Sequence, residues 1–194
     1  MAVTPARSPL APAAAFPALP EIDGVRLASA EAGVRYSGRT DVMLAHLAPG
    51  STVAGVFTRS ATRAAAVLDC QAKIGADSDA GAAIIVNSGN ANAFTGKHGA
   101  ESVSAVNAVV AERLGLPAER VFPASTGVIG EPLAHDRIIA AIDALAAGLS
   151  PAGIEDASRA IMTTDTFPKG AGRTLSVGGK PVRIAGIAKG SGMI

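Results

Sequence analysis

Three consecutive residues place hydrogen-bond donors where a negative charge on oxygen could be stabilised. Ser125 and Thr126 carry hydroxyls, and Gly127 leaves its backbone N–H unobstructed, directly after a strand-like run at residues 120–124. Donors fixed in this way stabilise the oxyanion that develops in acyl transfer. An ordinary glycine turn uses the same residue types, and the spacing alone favours that turn. These residues by themselves leave both interpretations open.

Two later segments carry polar groups of the kinds that bind small substrates. Residues 162–169 read Met-Thr-Thr-Asp-Thr-Phe-Pro-Lys, with Thr166 as the last threonine. Their alternation predicts an edge strand, because β-branched threonine suits a pleated surface. Lys189 follows the apolar run 182–188 and precedes Gly190-Ser191-Gly192. By itself this pattern is typical of a solvated surface lysine.

Other site chemistries find little support in the sequence. The three histidines, His46, His98 and His135, are scattered and lack a second ligand at metal-binding spacing. The pairs Gly96-Lys97 and Gly179-Lys180 lack both the first glycine and the Ser or Thr of a phosphate-binding loop. Nothing resembles a nucleophile elbow, although a serine triad assembled in space stays open.

Composition argues against a nucleic-acid or membrane protein. Lys and Arg number 17 against 16 Asp and Glu, and aromatic residues make up 3%, so no basic face with stacking rings is indicated. The longest apolar stretch, residues 138–149, contains Asp143 and is shorter than the roughly 20 residues of a membrane span. The single cysteine, Cys70, follows an apolar run and predicts a buried structural thiol in a reducing compartment. A cytoplasmic protein is therefore expected.

The positioning elements form one α/β unit. Five prolines among alanines predict a flexible N-terminal tail over residues 1–20, which leaves residues 21–194 as a single domain. Helical periodicity covers 103–114 and 138–149, and a continuous apolar run predicts a strand buried on both faces at 82–86, followed by a polar loop at 87–92. Other strands are expected at 24–30 with 34–36, at 41–47 with 51–58, at 120–124, and in a hairpin that pairs Leu175 and Val177 with Val182 and Ile184. The fold class is α/β of the α+β type, with mixed sheets and packed helices.

Three motifs in a fixed order carry a resemblance to a known family. Ser125–Gly130, Thr163–Thr166 and Lys189–Ile194 resemble segments of the bifunctional ornithine acetyltransferase/N-acetylglutamate synthase family of arginine biosynthesis. In that family the last segment continues to a threonine, before which the backbone cleaves itself. The chain stops on Met193-Ile194, and we interpret it as the α chain of such an enzyme.

The resemblance implies a partner. A β chain from the same precursor would supply the nucleophile as an N-terminal threonine, complete a layered sandwich, and assemble with this chain into a dimer of αβ units. Alone, the α chain is expected to expose an apolar edge and to aggregate.

The resemblance also implies roles for individual residues. The Thr126 hydroxyl and the Gly127 N–H would form the oxyanion hole, and Thr166 and Lys189 would contact substrate, with Lys189 as a point charge for a carboxylate. The polar loop 87–92 would be scaffold beside the pocket. The implied reaction moves an acetyl group from N2-acetylornithine to glutamate through an acetyl-threonine, without metal or organic cofactor; use of acetyl-CoA stays open.

Two other functions remain in view at this point. A related self-processing aminopeptidase or amidase would use water in place of glutamate as the acceptor. A non-catalytic scaffold subunit would need no nucleophile at all. A partner chain that begins with threonine would separate the acetyltransferase and the aminopeptidase or amidase from the scaffold subunit.

Overall fold

The structure, a computed structural model, describes residues 8–9, 11–12, 15–76 and 78–192. Within these residues the elements are, in chain order, β1 (Val25–Ala30), β2 (Val42–Leu47), α1 (Ala65–Lys73), β3 (Ala82–Asn90), α2 (Gly96–Leu114), a 3-10 turn (Ala118–Arg120), β4 (Val121–Val128), α3 (His135–Ala147), α4 (Ile154–Ala160), β5 (Lys169–Val177) and β6 (Lys180–Ala188).

A four-stranded mixed sheet carries the site-bearing strands. Its order is β1-β2-β3-β4, in which the first two pairs are antiparallel and β3 and β4 are parallel. Helix α2 lies between β3 and β4 in the chain and provides the crossover that a parallel pair needs. Strands β5 and β6 form a separate antiparallel hairpin. Mixed sheets with packed helices confirm the predicted fold class.

The central strands are buried on both faces of the sheet. Along β2, Val42 and Leu44 join one apolar cluster with residues of α2 and α3, whereas Met43 and Ala45 join a second cluster with residues of α4. Ile85 of β3 belongs to the first cluster and is 3% exposed. Burial on both faces explains the continuous apolar run at 82–86 and confirms that prediction.

The periodic helices form where predicted. Helix α2 covers the predicted 103–114 and ends at Gly115, which adopts a left-handed φ of 65° suited to glycine. Helix α3 covers most of 138–149 and begins earlier, at His135. The C-terminal hairpin also forms, and Leu175 lies opposite Val182 as expected, although Val177 lies opposite Lys180 and Ile184 opposite Arg173.

The first predicted hairpin is wrong. Strand β1 pairs with β2 instead, with Ala30 opposite Val42, and no strand forms at 34–36. The physical reason is the buried carboxylate of Asp41, which accepts hydrogen bonds from the N–H groups of Ala32 and Val34, both at 2.7 Å. These N–H groups are satisfied by a side chain, so the loop needs no partner strand.

Three other predictions of secondary structure are also wrong. Residues 51–58 form no strand; their apolar members Val53 and Phe57 pack beside Cys70. Residues 162–168 are irregular, and only Lys169 enters a strand. The predicted loop at 87–92 belongs largely to β3, because amide side chains in this segment bond to backbone and to a neighbouring serine within the sheet.

Cys70 is structural, as predicted. It is 7% exposed, and its thiol donates to the carbonyl of Pro123 at 3.2 Å. Burial raises the pKa of the Cys70 thiol to about 11, with a smaller contribution from the neighbouring Asp69 carboxylate. A thiol with so high a pKa is a poor nucleophile at neutral pH.

The β5–β6 hairpin exposes apolar side chains. Leu175, Val177, Val182 and Ile184 are 40–60% exposed. Upstream residues cover part of β5: an added Cβ on Gly170 would meet the Phe16 ring at 2.4 Å. The described end of the predicted tail therefore contacts β5, and an isolated two-stranded hairpin of this kind is marginal in water without such support.

We expect Asp41→Asn to lower the free energy of unfolding by about 1–3 kcal/mol, because one amide cannot accept from both buried N–H groups as the carboxylate does. The measurement is urea unfolding of the purified protein. Asp143→Asn is the matched control, since Asp143 is 85% exposed in its side chain, and it should change stability by no more than about 0.5 kcal/mol. Equal effects of the two substitutions would contradict the role given to Asp41.

Candidate functional site

The Lys189 ammonium joins three separate segments of the chain. Its Nζ donates to Thr126 Oγ1 at 2.9 Å and to Thr163 Oγ1 at 2.8 Å. Thr126 lies on β4, Thr163 lies in the irregular segment after α4, and Lys189 directly follows β6. The solvated surface lysine that the sequence pattern favours is therefore wrong: Lys189 is half-buried and bonded on two sides.

Gly127 lies inside β4, so the ordinary glycine turn is also wrong. Its φ is 138°, and an added Cβ would lie 2.3 Å from the carbonyl carbon of Gly89 on β3. Gly89 is the register partner of Gly127 and has a positive φ of 99°. A pairing irregularity follows at Asn90. Both the backbone conformation and the lack of space require glycine at position 127.

The neighbouring Ser125 is already engaged. Its hydroxyl donates to Asn87 Oδ1 at 2.6 Å, and the Asn87 amide donates to the carbonyl of Asn90 at 2.9 Å. Asn87 is 3% exposed. Of the two adjacent hydroxyls, Thr126 is thus the one that faces Lys189, while Ser125 ties β4 to Asn87 of β3.

Asp165 holds the lysine loop against the threonine segment. Its carboxylate accepts from the Gly190 N–H and from Lys169 Nζ, both at 2.6 Å, and from the Thr163 N–H at 3.2 Å. Burial pushes the pKa of this carboxyl up, but the bond from Lys169 and those from the two N–H groups outweigh burial and leave the pKa below its ordinary value. Asp165 is therefore an anionic anchor that sets Thr163 beside Lys189.

Thr166 lies elsewhere in the described structure. It lines a cavity of about 540 Å³ together with Phe16, Arg159, Phe167 and Lys169. The Lys189 hydrogen bonds go to Thr126 and, in the same threonine run, to Thr163. Of the predicted site residues, the structure thus brings together Thr126, Gly127 and Lys189, and it places Thr166 in the wall of this separate cavity.

Sequence analysis missed Thr163 and Asp165. The run Thr163–Thr166 was singled out, but an edge strand would have put Thr163 and Thr166 on opposite faces. The signal that could have found Asp165 is a lone carboxylate four residues before Lys169, within an otherwise uncharged run. Such a residue is a candidate for an internal ion pair.

Neither a metal-binding cluster nor a membrane-spanning helix occurs in the described part of the chain. No group of three or more His, Cys, Asp or Glu side chains is arranged to hold a metal ion there. None of the helices in that part combines the length and the apolar character needed to cross a membrane.

The chain belongs to the ArgJ family, whose sequence profile matches residues 26–194. It is 70% identical over 187 residues to the arginine biosynthesis bifunctional protein ArgJ of Ruegeria pomeroyi, covering 96% of this chain and 46% of that protein. Against the protein of the same name from Gluconobacter oxydans it is 52% identical, covering 92% and 42%. The chain therefore spans less than half the length of these relatives, and the resemblance seen in the motifs is confirmed.

Two solved structures share the fold. The crystal structure of the arginine biosynthesis bifunctional protein ArgJ from Bacillus halodurans matches with a TM-score of 0.79 at 36% identity, over 89% of each chain. Ornithine acetyltransferase from Mycobacterium tuberculosis, solved in complex with ornithine, matches with a TM-score of 0.78 at 34% identity, over 89% of this chain and 91% of that chain.

We expect Asp165→Asn to lower the free energy of unfolding by about 2–3 kcal/mol at pH 7, because hydrogen bonds to a charged acceptor are lost inside the protein. The sign with pH follows from the lowered pKa: the stabilisation is present above the pKa of the unfolded state, roughly 3.9, and is lost as the pH falls through the folded-state pKa.

Urea unfolding of the wild-type protein and of Asp165→Asn at pH 7 and at about pH 3 measures this effect. The difference between their free energies of unfolding, called the gap below, should shrink at the lower pH. Asp156→Asn, at an exposed position of α4, is the control and should leave a small gap at both pH values. A gap for Asp165→Asn that does not depend on pH would contradict an ionised Asp165.

Proposed function

We propose that this chain is the α part of an enzyme that transfers an acetyl group from N2-acetylornithine to glutamate. The observation that carries the proposal is the contact of the Lys189 ammonium with the hydroxyls of Thr126 and Thr163, beside Gly127. Support comes also from relatives named as bifunctional proteins of arginine biosynthesis and from the solved relative that holds ornithine.

A second chain from the same precursor supplies the nucleophile in this proposal. The chain covers about nine-tenths of the matched chain in each solved structure but under half of the length of the curated proteins. This difference supports an enzyme built from two chains of comparable length. The exposed apolar side chains of the β5–β6 hairpin support a partner surface there. Cleavage downstream of Lys189 creates a β chain that begins with threonine, and two αβ units form the assembly.

The chemistry begins at that N-terminal threonine. Its α-amine, with an ordinary pKa of roughly 7.7–8.0, accepts the hydroxyl proton near neutral pH. The threonine oxygen attacks the acetyl carbonyl of N2-acetylornithine, ornithine leaves with the proton, and an acetyl ester remains. The amine of glutamate then attacks the ester and releases N-acetylglutamate. These two steps make a ping-pong transfer that requires neither metal nor organic cofactor.

Thr126 is oriented to serve the oxyanion. A lysine ammonium has three donors and no acceptor, so the Thr126 oxygen must accept in its bond with Lys189. The Thr126 hydroxyl proton is consequently free to point at a second oxygen. With the Gly127 N–H, it forms a two-donor hole for the tetrahedral intermediate.

Lys189 keeps a donor for substrate. Two of its three N–H groups are used by Thr126 and Thr163 in the described structure. The third is available for a carboxylate, a group shared by N2-acetylornithine and glutamate. Thr166 remains a proposed substrate contact, from the wall of the cavity that it lines. Thr163 is added to the proposed site residues because its hydroxyl fixes the Lys189 ammonium.

Labelling the full-length precursor tests the function. N-terminal sequencing should find a second chain beginning with threonine, and incubation with N2-acetylornithine carrying a labelled acetyl group should place the label on that threonine. Added glutamate should remove the label as N-acetylglutamate. Release of free acetate alone would instead identify an amidase, and an unlabelled, uncleaved protein would overturn the proposal. Labelled acetyl-CoA in a parallel reaction tests the second donor.

We expect Thr126→Ala to lower kcat about 10²–10³-fold with a much smaller change in KM, because its donor acts on charge that develops in the transition state. Steady-state kinetics of fully processed enzyme measure the effect. Thr164→Ala is the control, since Thr164 is the exposed member of the threonine run and its hydroxyl accepts a long bond of 3.3 Å from the Gly192 N–H. Unchanged kcat in processed Thr126→Ala enzyme would remove Thr126 from the oxyanion hole.

We expect Lys189→Ala to raise KM for both N2-acetylornithine and glutamate by more than it lowers kcat, because a bond to a carboxylate exists before and during the reaction. Lys189→Arg should rescue only in part, since a planar fork replaces a compact point charge. Gel analysis of processing accompanies the kinetics. Uncleaved precursor would assign Lys189 to self-cleavage, and normal cleavage with unaltered KM would contradict both roles.

A further inference from the structure

The loop between β1 and β2 spans the two walls of the site. It carries Tyr36 and Arg39, which lie between the Gly127 strand and the Thr163 segment. We infer that Arg39, acting with the Tyr36 ring, is a positioning residue that fixes the oxyanion donors relative to Lys189. This inference rests on the proposed function, and it concerns residues outside the three motifs.

Tyr36 contacts the oxyanion wall through paired glycines. An added Cβ on Gly89 would lie 3.1 Å from a carbon of the Tyr36 ring, so the ring lies directly against this glycine. Gly89 in turn leaves no room for a side chain on Gly127, where an added Cβ would meet the Gly89 backbone at 2.3 Å. The Tyr36 ring therefore lies close against Gly89, and Gly89 lies close against Gly127.

Arg39 connects the same ring to the opposite wall. Its guanidinium carbon lies 4.5 Å from the centre of the Tyr36 ring, a cation–π distance. Its Nη2 donates to the carbonyl of Met162 at 2.6 Å and, more weakly, to that of Arg159 at 3.4 Å. Met162 immediately precedes Thr163, whose hydroxyl accepts from Lys189.

These contacts close a ring around the site. From Thr126 and Gly127 the path runs through Gly89, Tyr36, Arg39, Met162 and Thr163 to Lys189, which bonds back to Thr126. The loop that carries the two bridging residues is itself fixed by the Asp41 carboxylate. A closed ring holds the distance between oxyanion donors and lysine better than the single Lys189 contact could.

Two features define what each side chain contributes. Arg39 uses the flat face of its guanidinium against the ring and its edge toward the carbonyls, a combination that a lysine ammonium cannot reproduce. Tyr36 contributes its ring, which lies against Gly89 and under the Arg39 guanidinium. Phenylalanine should therefore replace Tyr36, whereas leucine should not.

Kinetics of enzyme from the full-length precursor test the inference, with Arg39→Ala, Arg39→Lys, Tyr36→Phe and Tyr36→Leu. We expect Arg39→Ala and Tyr36→Leu to lower kcat roughly 10–100-fold with KM changed less than about threefold, because a displacement near 1 Å is enough for such losses. Arg39→Lys should fall between Arg39→Ala and wild type, and Tyr36→Phe should stay within about twofold of wild type.

Arg35→Ala is the matched control. Arg35 lies in the same loop, its guanidinium bonds the exposed Glu131, and alanine keeps the Cβ that lies near Gly89. This variant should retain wild-type kinetics. Thermal midpoints of all variants are measured in parallel and should agree within about 4 °C, so that lost turnover is not lost fold. Variants that fail to process are measured as two co-expressed chains that need no cleavage.

Three outcomes would overturn the inference. The first is a kcat for Arg39→Ala within about twofold of wild type. The second is a loss of activity that follows the thermal midpoint rather than kcat per folded enzyme, which would make Arg39 merely structural. The third is equal damage from Tyr36→Phe and Tyr36→Leu, which would assign the effect to the hydroxyl. Absence of acetyl transfer by the wild-type enzyme would instead overturn the proposed function.

Discussion

The buried carboxylate of Asp165 is the interaction on which the arrangement of the site depends. It neutralises Lys169 and accepts N–H groups from two segments far apart in the chain, at Thr163 and Gly190. Together with the hydrogen bonds from Lys189 to Thr163 and from Gly192 to Thr164, it holds the loop after β6 against the segment after α4. Because the carboxylate is fully desolvated in its side chain, each of its hydrogen bonds is strong, and their loss would leave a costly buried group.

The sheet supplies the other half of the site. Burial of β3 and β4 in the core fixes the backbone at Gly127, while the positive φ values of Gly89 and Gly127 let the two strands approach closely where their pairing becomes irregular. Rigid strands and an anchored loop then meet at one hydrogen bond between Lys189 and Thr126. In the proposed reaction, donors fixed in this way would need no rearrangement when charge develops on the substrate.

Sequence predicted the parts of this chain whose structure is set by local apolar pattern. Helices α2 and α3 formed as expected because their periodicity defines one apolar face, and the buried part of β3 formed because its continuous apolar run suits a strand covered on both faces. Two of the wrong predictions lie at 34–36 and 162–168, where the carboxylates of Asp41 and Asp165 accept hydrogen bonds from backbone N–H groups that a strand would have paired. In the irregular segment that results, the Thr163 hydroxyl accepts from Lys189, a contact that the strand prediction did not foresee.

The partners of Lys189 leave its charge without a counter-ion in the described part of the chain. Lys169 forms an ion pair with Asp165, but both groups that accept hydrogen bonds from the Lys189 ammonium are neutral hydroxyls. A half-buried, unmatched positive charge attracts any small anion, and it does so more strongly than an exposed one because water screens it less. In the proposed enzyme, sulfate or phosphate would therefore compete with a substrate carboxylate for this charge, and the affinity for substrate would depend on the anion in the buffer as well as on ionic strength.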